Sequence, residues 1–224
     1  MLKPKKKLTK HELKEDKFVK TTLQVKNYVD QNYRQVMTVV LSIFAAIVLL
    51  IVYRQLSGES EEEAQGQLGI AEIEYSNNNL DKASSRLHRL IDNYGDTNEA
   101  DQGRLILANI YYNQNDFANA ERYFREFIDS YSGSDILMAS GYAGLAACLE
   151  LKKDFGTAAG LYEKASKMAP DYPESDNYAF LAGLCYQKSN NDEEARRIFE
   201  DLKANAKSQK AARDAEIQLT LLSK

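Results

Sequence analysis

Histidine, cysteine and tryptophan are scarce in this 224-residue chain, which contains two His, two Cys and no Trp. The two histidines, His11 and His88, lie on either side of a long apolar segment, and if that segment spans a membrane they cannot act together. The motifs of P-loop nucleotide binding, zinc peptidases and serine hydrolases are also absent. We therefore expect no catalytic residue, cofactor, metal site or small-molecule substrate, and we predict that the protein is not an enzyme.

Charge is missing from one long stretch, Gln35 to Tyr53, which reads QVMTVVLSIFAAIVLLIVY between Arg34 and Arg54. A helix of these 19 residues is about 28 Å long, close to the ~30 Å thickness of the hydrocarbon core of a bilayer. A buried core helix is the alternative, but such helices seldom run this long without a charged residue. The stretch predicts a single transmembrane helix over residues 35–53.

The charges of the chain are distributed unequally around this stretch. Residues 1–34 carry ten Lys and Arg against four Asp and Glu, a net charge of +6, whereas the remainder carries 19 against 29, a net charge of -10. Lys and Arg that flank a first span are retained on the cytoplasmic side. The apolar regions of cleaved signal peptides are shorter, roughly 7–15 residues. We therefore predict an uncleaved signal anchor, with a cytoplasmic amino terminus and a translocated carboxy-terminal domain.

The basic amino-terminal segment contains a helical pattern that leads into the apolar stretch. The residues that follow a spacing of three or four, and so lie on one helix face, are Phe18, Thr22, Val25, Val29, Tyr33 and Val36. Such a helix can lie on anionic lipid, with its apolar stripe in the interface and its lysines near the headgroups. The alternative is a docking helix for a cytoplasmic or membrane partner. We do not expect nucleic acid as a partner.

After a short acidic linker, the sequence repeats itself with a period of 37–38 residues. Each repeat has two small residues twelve positions apart with a polar turn between them, and an aromatic residue or leucine four positions after the second. Small residues let two antiparallel helices approach closely, and the larger residue fills the space beside them. The small pairs are Ala71 with Ala83, Ala108 with Ala120, Ala146 with Ala158, and Gly183 with Ala195.

Neither helix of such a pair can bury its apolar stripe alone, so the units must stack into a continuous core. We predict an all-α fold in which the transmembrane helix is followed by an α-solenoid of about four helix pairs, with a capping helix over Lys210–Leu222. The predicted organisation is a basic tail with a juxtamembrane amphipathic helix (1–34), the transmembrane helix (35–53), an acidic linker (54–63) and the repeat domain (64–224).

The second unit, LANIYYNQNDFANAERYFREFI (Leu107–Ile128), closely resembles a tetratricopeptide repeat (TPR). The chain departs from that family's pattern in lacking tryptophan and in repeating every 37–38 residues instead of roughly 34. The resemblance covers residues 64–222 and implies a TPR solenoid that binds proteins. The positions that match the pattern are Leu107, Ala108, Tyr111, Ala120 and Phe124.

In a TPR stack the first helix of each pair lines a concave groove, and the resemblance implies which residues face it. This surface mixes apolar and aromatic side chains with amides and few charges. We predict that it binds apolar or extended polypeptide segments, with Tyr75, Tyr112 and Phe180 as anchors. The alternative is that these residues pack against one another or against a neighbouring loop. The predicted groove residues are Leu68, Glu72, Tyr75, Leu105, Asn109, Tyr112, Asn113, Phe180 and Leu184, with Ala143, Ala147, Glu150, Leu151, Gln187 and Lys188 alongside.

Cys148 and Cys185 occupy equivalent positions in the third and fourth units. Stacked helices hold such positions about 9–10 Å apart, beyond the reach of a disulfide. We expect two buried, unpaired thiols rather than a disulfide. His88 falls on the outer side of a second helix, where we expect it to be solvated.

The order of a basic tail, a single span and a translocated acidic TPR domain resembles the YfgM-like family of bacterial inner-membrane TPR proteins. The resemblance implies a bacterial inner-membrane location with a periplasmic TPR domain. It also implies an ancillary role in protein export, with translocon subunits, periplasmic chaperones or exported clients as partners. Two alternatives are open: an envelope scaffold for outer-membrane assembly or division proteins, and a membrane regulator whose basic tail binds a cytoplasmic factor.

The apolar stretch also carries a patch of small side chains, Ser42, Ala45 and Ala46. Small residues let membrane helices pack closely against one another. We therefore predict a lateral contact with another membrane helix at this patch.

Overall fold

The computed structural model describes the backbone of residues 10–223 and the side chains of residues 20–49, 51 and 60–223. Much of the predicted basic tail, the end of the predicted transmembrane helix and most of the predicted linker have side chains outside these ranges. The chain divides into two compact units, Met1–Gly58 and Glu59–Lys224.

The backbone of residues 10–223 consists of ten α-helices joined by short turns, so the all-α prediction is confirmed for this range. The segment predicted as a linker lies within the second helix. The helices are α1 (Lys10–Gln31), α2 (Tyr33–Ser76), α3 (Leu80–Tyr94), α4 (Asn98–Asn113), α5 (Phe117–Ser130), α6 (Asp135–Leu151), α7 (Phe155–Met168), α8 (Ser175–Lys188), α9 (Asp192–Asn205) and α10 (Gln209–Leu222).

In the first unit, α1 and α2 meet at a sharp corner. No single helix among the residues described with side chains is long and apolar enough to cross a membrane. The segments Lys20–Gln31 and Tyr33–Leu49 are long and apolar enough only when taken together, and their axes meet at an angle of 93°. The predicted transmembrane helix therefore stays a prediction, and part of it lies outside the described side chains.

In the second unit, the predicted helix pairs are confirmed. They are the end of α2 with α3, α4 with α5, α6 with α7, and α8 with α9, each packed against the next. The small residues predicted at the helix crossings are buried without exception. The larger residues predicted beside them are buried as well, and they are Leu87, Phe124, Tyr162 and Phe199.

Helix α10 closes the solenoid, which confirms the predicted capping helix. Its residues Ala211 and Ala215 are buried, and Leu219 packs on the same cluster, which includes Ile198 and Phe199 of α9. The Arg196 guanidinium also donates a hydrogen bond to the Leu222 carbonyl at 3.0 Å. The cap therefore covers apolar surface of the last pair that would otherwise face water.

Each helix pair turns through one residue with left-handed backbone geometry. These residues are Asn78, Asn115, Lys153 and Asn190, with φ between 58° and 65°. The next residue donates its N–H to the carbonyl five positions back, for example Asp116 to Tyr111 at 2.9 Å. This hydrogen bond closes the first helix, and the Asp116 carboxylate then caps the second by accepting from the Asn119 N–H. The polar turns of the sequence thus adopt the same backbone conformation in each of the four helix pairs.

Replacing Lys153 by asparagine is expected to raise the free energy of unfolding by about 0.5–1 kcal/mol. Most residues other than glycine pay a penalty in the left-handed region, whereas asparagine adopts it more readily because its short polar side chain can hydrogen-bond locally. The reciprocal change, Asn115→Lys, should lower stability by a similar amount. Urea unfolding followed by circular dichroism measures both, and loss of stability in Lys153→Asn would contradict the prediction.

Candidate functional site

The structure buries part of the surface that the sequence predicts as a groove. Leu68 and Leu105 are each only 6% exposed and belong to the main core. The first helices of the second and third pairs, α4 and α6, also contact one another, which leaves side chains between them little access to solvent. The prediction that Leu68 and Leu105 are open to a partner is therefore corrected.

The prediction that Ala143 is open to a partner is corrected as well, because it is only 7% exposed. The remaining predicted groove residues keep some access to solvent. Glu72 and Asn113 are exposed, whereas Tyr75, Asn109, Tyr112, Phe180 and Leu184 are half-buried. Leu151, at the end of α6, is also exposed.

Two of the predicted aromatic anchors contact other rings. The Phe180 ring lies 5.7 Å from the Phe199 ring, centroid to centroid, and Leu184 packs on the same cluster. The Tyr112 ring meets Phe117 edge-on at 5.5 Å. Both rings thus take part in packing, as the alternative interpretation held, and both stay half-buried rather than fully open to a partner.

A polar centre lies on this surface around Glu150, at the repeat position equivalent to Tyr112. Lys188 donates to one oxygen of the Glu150 carboxylate at 2.6 Å, and the Tyr162 hydroxyl donates to the other at 3.4 Å. The hydrogen bond to Glu150 raises the pKa of Lys188, against the effect of burial. Burial raises the pKa of Tyr112, and the nearby Cys148 and Glu150 raise it further. Lys188 therefore stays charged and is paired with Glu150 within the protein, which disfavours recognition of a free carboxylate here.

His88 was expected to be solvated, and this prediction is wrong. Its ring lies between two tyrosine hydroxyls, with Nε2 3.1 Å from Tyr111 and Nδ1 3.3 Å from Tyr123. The two tyrosine rings stack with centroids 5.5 Å apart. These residues are 23 and 35 positions away from His88, so only the packing of α3 against the next helix pair brings them together.

Comparison with known proteins agrees with these stacked helix pairs. A family profile described as a tetratricopeptide repeat-like domain matches residues 26–223. The chain belongs to this tetratricopeptide repeat-like family. The predicted TPR solenoid is thus confirmed, and the match extends to include α2 from its first residue.

Solved structures share the fold of the TPR domain at low sequence identity. Nearly identical TPR-like repeats, described as those of a kinesin light chain from Podosopora anserina, superpose with a TM-score of 0.57 and 13% identity over 72% of this chain and 86% of that one. PilF of Pseudomonas aeruginosa superposes with a TM-score of 0.54 and 16% identity over 71% of this chain and 70% of that one. A search of curated protein sequences gave no match.

TPR domains bind peptides or proteins and generally serve as non-catalytic scaffolds. The family assignment therefore makes this chain a TPR-type protein–protein interaction module. Among the described residues, no group of three or more His, Cys, Asp or Glu is arranged to hold a metal ion.

The two cysteines of the TPR domain are free and buried, as predicted. Burial raises the pKa of the Cys148 thiol to about 11 and that of Cys185 to about 12, with the Glu150 carboxylate adding to the shift at Cys185. A thiol that is both buried and protonated reacts slowly, because the thiolate is the nucleophile.

Both thiols are therefore expected to resist alkylation by iodoacetamide at pH 8, reacting about 100-fold or more slowly than in the urea-unfolded chain. The cause is the high pKa together with the lack of access. Mass spectrometry of the folded and unfolded protein measures the two rates. A Cys148–Cys185 disulfide found under non-reducing conditions would contradict the assigned register of the repeats.

The small-residue patch of α2 is accessible. Ser42, Ala45 and Ala46 are exposed, and the Ser42 hydroxyl is satisfied within the helix by donating to the Thr38 carbonyl at 2.8 Å. The lateral contact predicted there stays a prediction.

Proposed function

We propose that this protein is a membrane-anchored TPR module that binds polypeptides on the translocated side of a bacterial inner membrane. The main support for a membrane anchor is the exposure of large apolar side chains on every side of α2. They include five of the six residues from Val39 to Phe44, which together pass right around the helix, and they continue to Ile51. A helix that is apolar on all sides must be buried in protein or in lipid.

The hydrogen bonds of α2 fit a lipid environment. A bilayer core offers no water, so backbone and hydroxyl groups must be satisfied within the helix. Thr38 donates to the Gln35 carbonyl at 2.7 Å, and Ser42 donates to the Thr38 carbonyl. The net charge of +6 before the apolar stretch and -10 after it favours a cytoplasmic amino terminus. The TPR domain then faces the periplasm.

The binding surface of the TPR domain is the accessible part of the first helices, from Glu72 and Tyr75 through Tyr112 and Asn113 to Leu151. It offers half-buried rings beside amides and an exposed leucine, a composition suited to apolar, extended segments. The resemblance to the YfgM-like family supports exported clients, translocon subunits or periplasmic chaperones as the polypeptides bound. A span that diffuses in the membrane brings this surface close to chains as they emerge.

The topology is tested with single cysteines and a membrane-impermeant maleimide on intact spheroplasts. A cysteine at Gly160, which is exposed on α7, should be labelled at once, and one at Lys5 only after permeabilisation. The native thiols are buried and give little background. Labelling of Lys5→Cys in intact spheroplasts would overturn the proposed orientation.

The binding surface is tested by site-specific photocrosslinking in living cells. A photoreactive phenylalanine is placed at Asn113 or Leu151, with Gly160 as the matched exposed control on a second helix. We expect adducts at the first two positions and none at the third, with mass spectrometry identifying translocon subunits, chaperones or exported proteins. Equal labelling at all three positions would overturn the surface assignment. Adducts with outer-membrane assembly proteins would instead favour the envelope scaffold.

A further inference from the structure

The corner between α1 and α2 fixes how the amino-terminal helix lies if α2 enters a bilayer. The segments Lys20–Gln31 and Tyr33–Leu49 are bent by 93°. When α2 runs roughly along the membrane normal, α1 must therefore run parallel to the membrane surface. Tyr33 and Arg34 are both exposed at the corner, and aromatic and basic residues are favoured at the boundary between lipid and water.

The corner also shows which side of α1 faces the bilayer. Val29, Asn32 and Val36 are half-buried, whereas the residues around them are exposed, so these three line the inside of the corner. Because α2 leaves the corner towards the bilayer, the inner face of α1 turns towards the membrane. Val25 lies one helical turn before Val29 on this same face and is 58% exposed.

The opposite face of α1 is mainly polar, although Leu23, which is 54% exposed, lies on it one helical turn before Asn27. At 100° per residue, Gln24, Asn27 and Gln31 lie across the helix from Val25 and Val29, and Lys20 lies with them. Lys26 lies at the edge of the inner face, where a long side chain can reach headgroups while its stem lies along the apolar boundary. Residues 1–34 as a whole carry a net charge of +6. An anionic leaflet attracts such a segment.

We infer that α1 lies flat on the anionic cytoplasmic leaflet, with the face formed by Val25 and Val29 inserted at the lipid interface. The partner of this helix is the lipid surface rather than a docked protein. The inference rests on the proposed membrane anchor, because the corner turns α1 towards the bilayer only when α2 enters it. The protein then holds two contacts with the membrane, one crossing it and one lying on it.

The absence of tryptophan from the chain allows a direct test with single-tryptophan variants of the full-length protein. Val25→Trp places the reporter on the inner face of α1, and Asn27→Trp is the matched control on the opposite face. Phe44→Trp reports on α2 itself. Each variant is reconstituted into vesicles of phosphatidylglycerol and phosphatidylcholine, and quenching by brominated lipids is measured.

We expect Val25→Trp to be quenched about threefold more strongly than Asn27→Trp, with emission shifted to the blue. The quenching should weaken in vesicles of phosphatidylcholine alone, because the anionic attraction is lost. If brominated lipids quench Phe44→Trp but not Val25→Trp, the inference about α1 is overturned while the proposed membrane anchor is retained. An unquenched Phe44→Trp would overturn the proposed anchor and the inference with it. Equal quenching in both lipids would overturn the anionic preference.

Discussion

Replacing Phe124 by alanine is expected to lower the free energy of unfolding by about 3–5 kcal/mol, the usual cost of removing a buried aromatic ring. Phe124 is 1% exposed and belongs to the core that joins the helix pairs. Its ring lies against Gly144 of α6, so it couples the second pair to the third. In a solenoid each unit is stabilised by its neighbours, and the loss should therefore weaken the whole TPR domain. Urea unfolding followed by circular dichroism measures it.

Gly144, which the Phe124 ring contacts, is the site of a second variant, and Gly160 provides the matched control. A Cβ added to Gly144 would lie 2.2 Å from Cζ of Phe124, so Gly144→Leu should destabilise strongly on its own. Gly160 has nothing within 4 Å of the same position, and Gly160→Leu should be close to neutral or stabilising. In the double variant Phe124→Ala/Gly144→Leu, the leucine can occupy the emptied space. We expect its loss of stability to be at least about 1 kcal/mol smaller than the sum of the single losses, and strict additivity would contradict the contact.

Replacing Arg104 by methionine is expected to lower the free energy of unfolding by about 3 kcal/mol, because it leaves a buried carboxylate without its countercharge. Asp101 is 6% exposed and accepts from Arg104 at 2.5 Å and from the Ser130 hydroxyl at 2.5 Å. Arg104 also donates two hydrogen bonds to the Gly95 carbonyl, at 3.1 and 3.2 Å. The Arg104–Asp101 pair thus links the turn before α4, the helix itself and, through the Ser130 hydroxyl bound to Asp101, the end of α5.

The control for this prediction is an ion pair nearer the surface. Arg125 is 53% exposed and pairs with Glu121 one helical turn away, and Arg125→Met should cost less than about 1 kcal/mol. The double variant Asp101→Leu/Arg104→Met removes both charges and should recover part of the loss. Similar losses for Arg104→Met and Arg125→Met would show that the buried pair contributes no more than a surface one. Thermal unfolding at constant pH compares all three variants.

Ion pairs also connect the later repeats. Arg197 of α9 donates to Glu163 of α7 at 2.8 Å, and Lys152 donates to Glu121 across the second and third pairs. The Lys152 ammonium holds the pKa of Glu121 below its usual range, against the effect of burial. Since these pairs join neighbouring units, they add a polar layer to the apolar contacts that stack the solenoid.

The sequence by itself determined the repeat. Small residues recur at fixed spacing because helix crossings demand them, and their partners Phe124 and Phe199 recur because the adjacent space must be filled. The turns were readable for the same reason, since a left-handed residue followed by a helix cap favours Asn and Asp. The one exception, Lys153, shows that the backbone geometry follows from the repeat even where the residue type does not favour it. Local constraints of this kind recur in every repeat, so the residue types that satisfy them recur at regular spacing in the sequence.

Tertiary structure alone decided which predicted groove residues are accessible to solvent and which side chains His88 contacts. Leu68 and Leu105 carry the same helical periodicity as an open surface would, and only the packing of the helix pairs into one core buries them. His88 meets Tyr111 and Tyr123 through three helices from two repeats, a contact that no local spacing encodes. The 93° corner before Tyr33 is likewise set by a single junction rather than by a repeated pattern. Sequence periodicity specifies the faces of helices, and only packing in three dimensions specifies what each face meets.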